Sequence, residues 1–216
     1  MWSRLPRRSA IAEAFARDRD LVRLHWPVEL RGAFDALFAI DDAMAEVALT
    51  ATQPALAAIK LRWWRESLQK LDHSPPPAEP RLEAVSRELL PRGITGERLA
   101  RLEDGWLALL EEVPSWNSVV ERGQVLFDVA GDLLGGSADT AEAGRAWAGV
   151  DLARRTGERH WLGDPEISGS VPRRLRPLTV LAALALRDQR QGWPPEPEAT
   201  PQRSWTILRH RLTGRL

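Results

Sequence analysis

The stretch ALFAIDDAMAEVAL, residues 36–49, is patterned as one amphipathic helix. At about 100° per residue, the large apolar side chains in and just before it share one face: Phe34, Leu37, Ile40, Met44 and Val47. The same three- and four-residue spacing recurs in most of the chain, while alternating strand patterns and Asn-Gly hairpin turns are missing. The sequence therefore predicts an all-α fold.

The periodic segments and the breaks between them predict how the helices are arranged. Helices are expected near 10–24, 28–50, 55–71, 80–90, 95–111, 115–135, 139–160, 172–188 and 202–212. HSPPPAEP (73–80) and WPPEPEATP (193–201) are predicted loops, because proline removes a backbone donor and blocks helix continuation. A chain of 216 residues can bury one sizeable core, so a single domain spanning 1–216 is expected.

The charge balance and the lack of cysteine exclude several classes of partner and of functional site for this protein. The 30 basic and 30 acidic side chains balance, so no nucleic-acid partner is expected. The absence of cysteine excludes disulfides, thiolate zinc sites and a cysteine nucleophile. The basic start of the chain lacks the apolar core of a signal peptide, and LTVLAALAL (178–186) is far shorter than the about 20 residues of a membrane-spanning helix. We therefore expect a cytoplasmic protein.

The acids of the opening stretch fall on different faces of the predicted helix. Asp35, Asp42 and Glu46 lie opposite the apolar stripe and are interpreted as a solvated face. Asp41 instead falls within the stripe, where a carboxylate is costly unless it is paired or lies in a polar cavity. Asp41 is therefore the inward acid whose partner must be found.

Longer stretches carry a likeness to a known family. QPALAAIKLRWWRESL (53–68) resembles the run Glu-Pro-x-Leu-Gly-x-Ile-Arg-Leu-Gln-Trp-Trp-Arg-Asp-Ala-Leu of a bacterial branch of the squalene/phytoene synthase family. That branch also contains the mitochondrial complex I assembly factor of this family. LHWPVELRGAFDALFAI (24–40), with Arg31, GRAWAGVDLARR (144–155) and VPRRLRPLTVLAALALRD (171–188) resemble other helices of the family. The resemblance implies a helical bundle of the isoprenoid synthase type around a central cavity.

The same resemblance implies a degenerate site. Active members join two prenyl diphosphates head to head, and two aspartate-rich motifs on facing helices hold magnesium against the diphosphates. An ungapped alignment puts the motif positions at Ala45, Glu46 and Leu49 in the first motif and at Asp151, Arg154, Arg155 and Arg159 in the second. One carboxylate survives in the first motif, and both expected aspartates of the second are arginines, which cannot ligate a cation. No metal or other cofactor is therefore expected.

Two functions follow from this resemblance. The first is a non-catalytic binding or assembly protein, for example for a respiratory complex, with a protein partner or a prenyl or lipid ligand. The second is an active head-to-head prenyl transferase that uses Mg²⁺, in which Asp41, Asp42 and Glu46 form a first motif displaced by four residues. The arginines of the second motif disfavour the second function.

The residues expected around the cavity are Asp41, Arg31, Arg154, Arg155 and Arg159. We predict an ion pair across the cavity between Asp41 and either Arg155 or Arg159. The alternative is that these arginines bind the anionic head group of a diphosphate or a phospholipid directly.

The C-terminal segment QRSWTILRHRLTGRL (202–216) has the general form of an interfacial helix. Trp205, Leu208 and Leu212 share one face, and several arginines supply positive charge. Peripheral membrane contact through 202–216 is one prediction, and docking of this helix on its own domain is the other.

Overall fold

The computed structural model describes residues 17–136, 138–164 and 167–216. Within these ranges the chain is dominated by α-helices that pack around one apolar core, so the predicted all-α bundle is confirmed. In chain order, the helices are α1 (Arg17–Arg23), α2 (Arg31–Thr50), α3 (Pro54–Lys70), α4 (Pro80–Glu88), α5 (Gly96–Ala100), α6 (Leu102–Ala108), α7 (Trp116–Leu133), α8 (Ala141–Thr156), α9 (Arg176–Gln191) and α10 (Pro201–Thr213). Short 3₁₀ turns lie at Val28–Leu30, Leu90–Arg92, Arg159–Leu162 and Arg173–Leu175.

Two of the predicted helices differ from those in the structure. The predicted helix 95–111 is two helices, because the backbone at Arg101 tightens into i→i−3 hydrogen bonds. The predicted helix 139–160 ends at Thr156, because Gly157 takes the left-handed conformation (φ 77°) and donates to Ala153 O. The part of the first predicted helix before Arg17 lies outside the described residues.

Both predicted proline-rich loops are present, and each ends at a capped helix. Pro80 and Pro201 are the first residues of α4 and α10, a position where the missing N–H costs nothing. The Glu79 carboxylate accepts from two backbone N–H groups of α4, and the Thr200 hydroxyl accepts from the Arg203 N–H of α10.

Helices α7 and α8 approach each other closely. A Cβ on Gly123 would lie 2.1 Å from the carbonyl oxygen of Gly144, and a Cβ on Gly144 would lie 2.2 Å from that of Gly123. Only glycine at both positions permits this approach. The contact brings the residue before Gly123, Arg122, against the middle of α8, where its guanidinium group reaches Ala148 O.

Helix α2 buries its apolar face at the centre of the bundle. Leu37, Ile40 and Met44 have no solvent exposure, and neither has Asp41 between them. In the described ranges, no helix has both the length and the apolar composition that a membrane span requires.

Candidate functional site

Asp41 is fully buried and forms an ion pair with Arg122, which is also fully buried. One guanidinium nitrogen of Arg122 donates to both carboxylate oxygens of Asp41, at 2.9 and 3.2 Å. Trp106 Nε1 of α6 donates to Asp41 Oδ1 at 2.9 Å, and the Trp106 ring lies 4.1 Å from the guanidinium carbon of Arg122. The inward acid of α2 is thus satisfied by one residue from α6 and one from α7.

Besides Asp41, the guanidinium group of Arg122 also contacts helix α8. Its second terminal nitrogen donates to Asp151 Oδ2 at 2.7 Å and to Ala148 O at 3.1 Å. Arg122 therefore bridges two carboxylates on different helices, Asp41 of α2 and Asp151 of α8.

Further ion pairs connect Asp151 to partly exposed residues near the surface. Arg155, one turn after Asp151 on α8, donates to Asp151 Oδ2 at 2.9 Å and to Asp42 Oδ1 at 2.7 Å. Arg19 of α1 donates to the other oxygen of Asp42 at 2.8 Å. We call the resulting alternating series the ion chain: Asp41, Arg122, Asp151, Arg155, Asp42 and Arg19.

The ion chain is balanced in charge, with three carboxylates and three guanidinium groups. Its side chains change from no exposure at Asp41 and Arg122 to 35% exposure at Asp42. Removing one member would therefore leave an unpaired charge, and the cost would be greatest at the buried end.

The three acids of the ion chain titrate differently. Burial raises the pKa of Asp41 by more than Arg122 lowers it. Burial acts in the same direction on Asp151, but the guanidinium groups of Arg155 and Arg122 outweigh it and lower the pKa of Asp151 to about 2. Burial of Asp42 is likewise outweighed by Arg155 and Arg19, so its pKa is lowered. Asp41 is therefore the first of the three to take up a proton on acidification.

A second buried cluster joins the two ends of the described chain. Arg203 of α10 donates to Asp18 of α1 at 2.6 Å and also pairs with Asp188 of α9. Arg154 of α8 donates to the same Asp188 at 2.7 Å. We call these four residues the terminal cluster: Asp18, Arg154, Asp188 and Arg203.

A cavity of about 40 Å³ lies between the ion chain and the terminal cluster. Arg19 and Asp151 line it from one side, and Asp18 and Asp188 line it from the other. One terminal nitrogen of Arg19, a residue that lines this cavity, is buried without a hydrogen-bond partner in the described residues. The space is enough for ordered water, which needs roughly 10–15 Å³, and it is far smaller than the roughly 300–1,000 Å³ of a ligand pocket.

The structure confirms that Asp41 points inward, but the prediction of its partner is wrong. Asp41 pairs with Arg122, whereas Arg155 pairs with Asp151 and Asp42. Arg159 is exposed in a 3₁₀ turn after α8, because Gly157 ends the helix before it. Packed side chains, rather than the predicted central cavity, surround Asp41.

The interpretation of the outer acids is correct for two residues and wrong for one. Asp35 and Glu46 are exposed, and they lie beside Arg23 and Arg81 respectively. Asp42 was expected to be solvated like them, but it lies between Arg155 and Arg19 in the ion chain. The helical wheel misplaces Asp42 because α1 and α8 cover that edge of α2.

The remaining predicted positions lie outside the ion chain. Arg31 donates to the carbonyl oxygens of Trp26 and Leu24 and so closes the turn before α2. Arg154 belongs to the terminal cluster. Ala45 is buried and Leu49 is partly buried in the apolar core.

Arg122 is the central residue that the sequence predictions missed, although the sequence carries a signal for it. Val119, Leu126 and Val129 form a buried stripe on α7, and Arg122 occupies the position between Val119 and Leu126 at the same three- and four-residue spacing. A charged residue within an apolar stripe is the pattern that singled out Asp41. Two such residues of opposite sign predict a buried pair.

Compared with protein-family models, with curated proteins and with solved structures, the chain matches none of them. The likeness to the squalene/phytoene synthases therefore stays a prediction that rests on stretches such as residues 53–68.

Proposed function

We propose that the chain is a non-catalytic binding or assembly protein of the squalene/phytoene synthase type, and that guanidinium groups hold together the acids at its centre. The observation that carries the proposal is the position of Arg122 between Asp41 and Asp151. In the family's enzymes, acids on facing helices share metal ions, whereas in this chain the acids of α2 and α8 share an arginine.

The coordination needs of magnesium support this proposal. Mg²⁺ requires near-octahedral geometry, keeps several waters and completes its shell with substrate phosphate oxygens. Both oxygens of Asp41 accept hydrogen bonds from Arg122, and Oδ1 also accepts one from Trp106. Freeing Asp41 for a cation would leave Arg122 buried without its partner, at a cost of about 3–5 kcal/mol.

The assembly role, for example for a respiratory complex, comes from the likeness of residues 53–68 to the branch that contains the complex I assembly factor. A buried network of charges is compatible with such a role, because a scaffold needs a fixed shape and needs no open reaction chamber. Its partner would then be a protein, with a prenyl or lipid ligand as the alternative.

The test is binding of farnesyl diphosphate, followed by tryptophan fluorescence with and without Mg²⁺, together with an assay for released pyrophosphate. Trp106 and Trp147 lie against Arg122, so occupancy of the site would change their emission. We expect no magnesium-dependent binding and no pyrophosphate. Magnesium-dependent binding with pyrophosphate release would overturn the proposal in favour of the prenyl transferase.

A single variant separates the two non-catalytic forms. If farnesyl diphosphate binds without metal, and Arg155→Gln abolishes that binding, the protein carries a prenyl ligand on its arginines. If the diphosphate does not bind at all, a protein partner is favoured, and affinity capture from the native host is the next step.

A further inference from the structure

Helix α10 buries one side and exposes an aromatic and aliphatic side. Ile207 and His210 pack against the rest of the protein, with 3% and 2% exposure. Trp205, Leu208 and Leu212 are 64%, 44% and 69% exposed, and their spacing of three and four residues places them on one side of the helix. These three residues form what we call the C-terminal face.

The C-terminal face is held rigidly. Arg176 of α9 donates to the carbonyl oxygens of Arg211 and Leu212, at 3.1 and 2.6 Å, which anchors the last turn of α10. Beyond this turn, Gly214 accepts from the Val171 N–H at 2.9 Å. The exposed apolar side chains therefore belong to a docked helix, and their exposure does not come from fraying of its end.

The segment that carries the C-terminal face is cationic, because every charged side chain of residues 199–216 is an arginine. Residues 167–187 and 199–216 contain no aspartate or glutamate, although Asp188 and Glu198 adjoin them. Their exposed or partly exposed arginines that form no ion pair within the described residues are Arg173, Arg174, Arg176, Arg209, Arg211 and Arg215. Arg187 and Arg203 lie in the same segments but are paired with Glu196, Asp188 and Asp18, so they do not add to this surface. Burial lowers the pKa of Arg211, and the nearby charges of Arg176 and Arg173 lower it further. Several of these cations therefore converge at the last turn of α10, although the whole chain has no net charge.

The turn after α1 lies near the last turn of α10. His25 lies close enough to Arg211 for the arginine to add to the lowering of its pKa by burial. Leu24 and Val28, on either side of this turn, are 59% and 73% exposed. The turn that contains His25 thus lies near Arg211 in the last turn of α10.

We propose that the C-terminal face is a docking surface for a bilayer that contains anionic lipids. Trp205 suits the headgroup level, where an amphipathic ring is favoured, and Leu208 and Leu212 suit the boundary with the acyl chains. Arginines near an anionic membrane surface are attracted to it, and residues 199–216 contain no aspartate or glutamate that would oppose this attraction. This surface is separate from the ion chain, so the proposal is independent of whether the protein is an enzyme.

The experiment is co-sedimentation of the full chain with vesicles of phosphatidylcholine alone and of phosphatidylcholine mixed equally with phosphatidylglycerol. We expect binding to the mixed vesicles, a blue shift of tryptophan emission, and weaker binding as salt is raised. Equal binding to both kinds of vesicle, or no binding to either, would overturn the proposal.

Matched variants assign the binding to the C-terminal face. Trp205→Ser/Leu208→Ser should weaken binding to the mixed vesicles by about tenfold or more. The control is Ile59→Ser/Trp63→Ser on α3, where both side chains are also exposed (67% and 46%) but lie beside acidic as well as basic residues. An equal loss in the control pair would show that any exposed apolar residue suffices, which contradicts the proposal.

The charge contribution is tested separately. Arg209→Gln/Arg215→Gln should weaken binding and flatten its salt dependence, whereas Arg62→Gln on α3 should leave both unchanged. All these side chains are exposed, so the variants are expected to fold, and a thermal melt checks this. If the chain instead dimerises in solution and Trp205→Ser makes it monomeric, the C-terminal face serves a second copy and the membrane proposal fails.

Discussion

Arg122 lies between Asp41 and Asp151, with one terminal nitrogen 2.9 Å from Asp41 Oδ2 and the other 2.7 Å from Asp151 Oδ2. Its side chain has no exposure to solvent. Three long helices, α2, α7 and α8, are therefore joined through one guanidinium group.

Asp41→Ala should lower the free energy of unfolding by about 3–5 kcal/mol, because it leaves part of the Arg122 charge unpaired and Trp106 Nε1 without an acceptor. Asp42→Ala should cost less, since Asp42 is 35% exposed and water can replace it. Urea denaturation of both variants gives the comparison. Small and equal effects would mean that Asp41 contributes nothing through its pairing.

Arg122→Met and Asp41→Leu should each be strongly destabilising, because each leaves the other residue's buried charge without its partner, but the double variant Arg122→Met/Asp41→Leu should be more stable than the sum of the two single effects. A buried pair that is replaced by apolar residues loses its desolvation cost together with its attraction. Unfolding free energies of the four proteins form a double-mutant cycle. Strict additivity would show that the two residues are not coupled.

Gly123→Ala should destabilise the protein by about 1–3 kcal/mol or more, because the new Cβ would lie 2.1 Å from the carbonyl oxygen of Gly144. Gly131→Ala, on the same helix, is the control. Its Cβ would meet nothing closer than 3.8 Å, so this change should be neutral or stabilise by up to about 1 kcal/mol. Thermal melts of the two variants test the close contact of α7 with α8.

Acid should weaken the fold through Asp151. The pKa of this carboxyl is about 2 in the folded chain and 3.8 in its ordinary state, so ionised Asp151 stabilises the fold above pH 3.8. That contribution, about 2 kcal/mol, is lost as the pH falls from 3.8 towards 2. Asp42, whose pKa is also lowered, acts in the same direction, whereas Asp41, whose pKa is raised, acts in the opposite one.

The Asp151→Asn variant isolates this effect. The difference in unfolding free energy between the natural chain and Asp151→Asn should be greatest near neutral pH and should shrink below pH 3.8. A difference that stays constant down to pH 2 would contradict the assigned pairing.

Apolar spacing along each helix is enough to predict the all-α fold and the burial of Asp41, and proline content is enough to predict the two loops. These features depend on residues that are near in sequence. The partner of Asp41 depends on how α7 packs against α2, and Arg122 is 81 residues away. Nothing in the local pattern of α2 gives the distance or direction of such a contact.

The predicted end of helix α8 is wrong, and the glycine at position 157 explains why. The predicted helix ran to residue 160, which kept Arg159 on the same helix as Arg155. Gly157 is a common helix terminator, and in the structure it ends α8 with a left-handed backbone. Arg155 therefore remains in the buried network, whereas Arg159 lies in the exposed turn.

Two consecutive residues of α1, Asp18 and Arg19, reach the two buried networks with opposite charges. Asp18 pairs with Arg203, and Arg19 pairs with Asp42. A slip of α1 by one residue in one direction would bring Asp18 towards Asp42 and Arg17 towards Arg203. A slip in the other direction would bring Arg19 towards Arg203 and Asp20 towards Asp42, so like charges would repel in either case. The order of two signs in the sequence thus selects one register for this helix, a choice that a short apolar stripe alone specifies weakly.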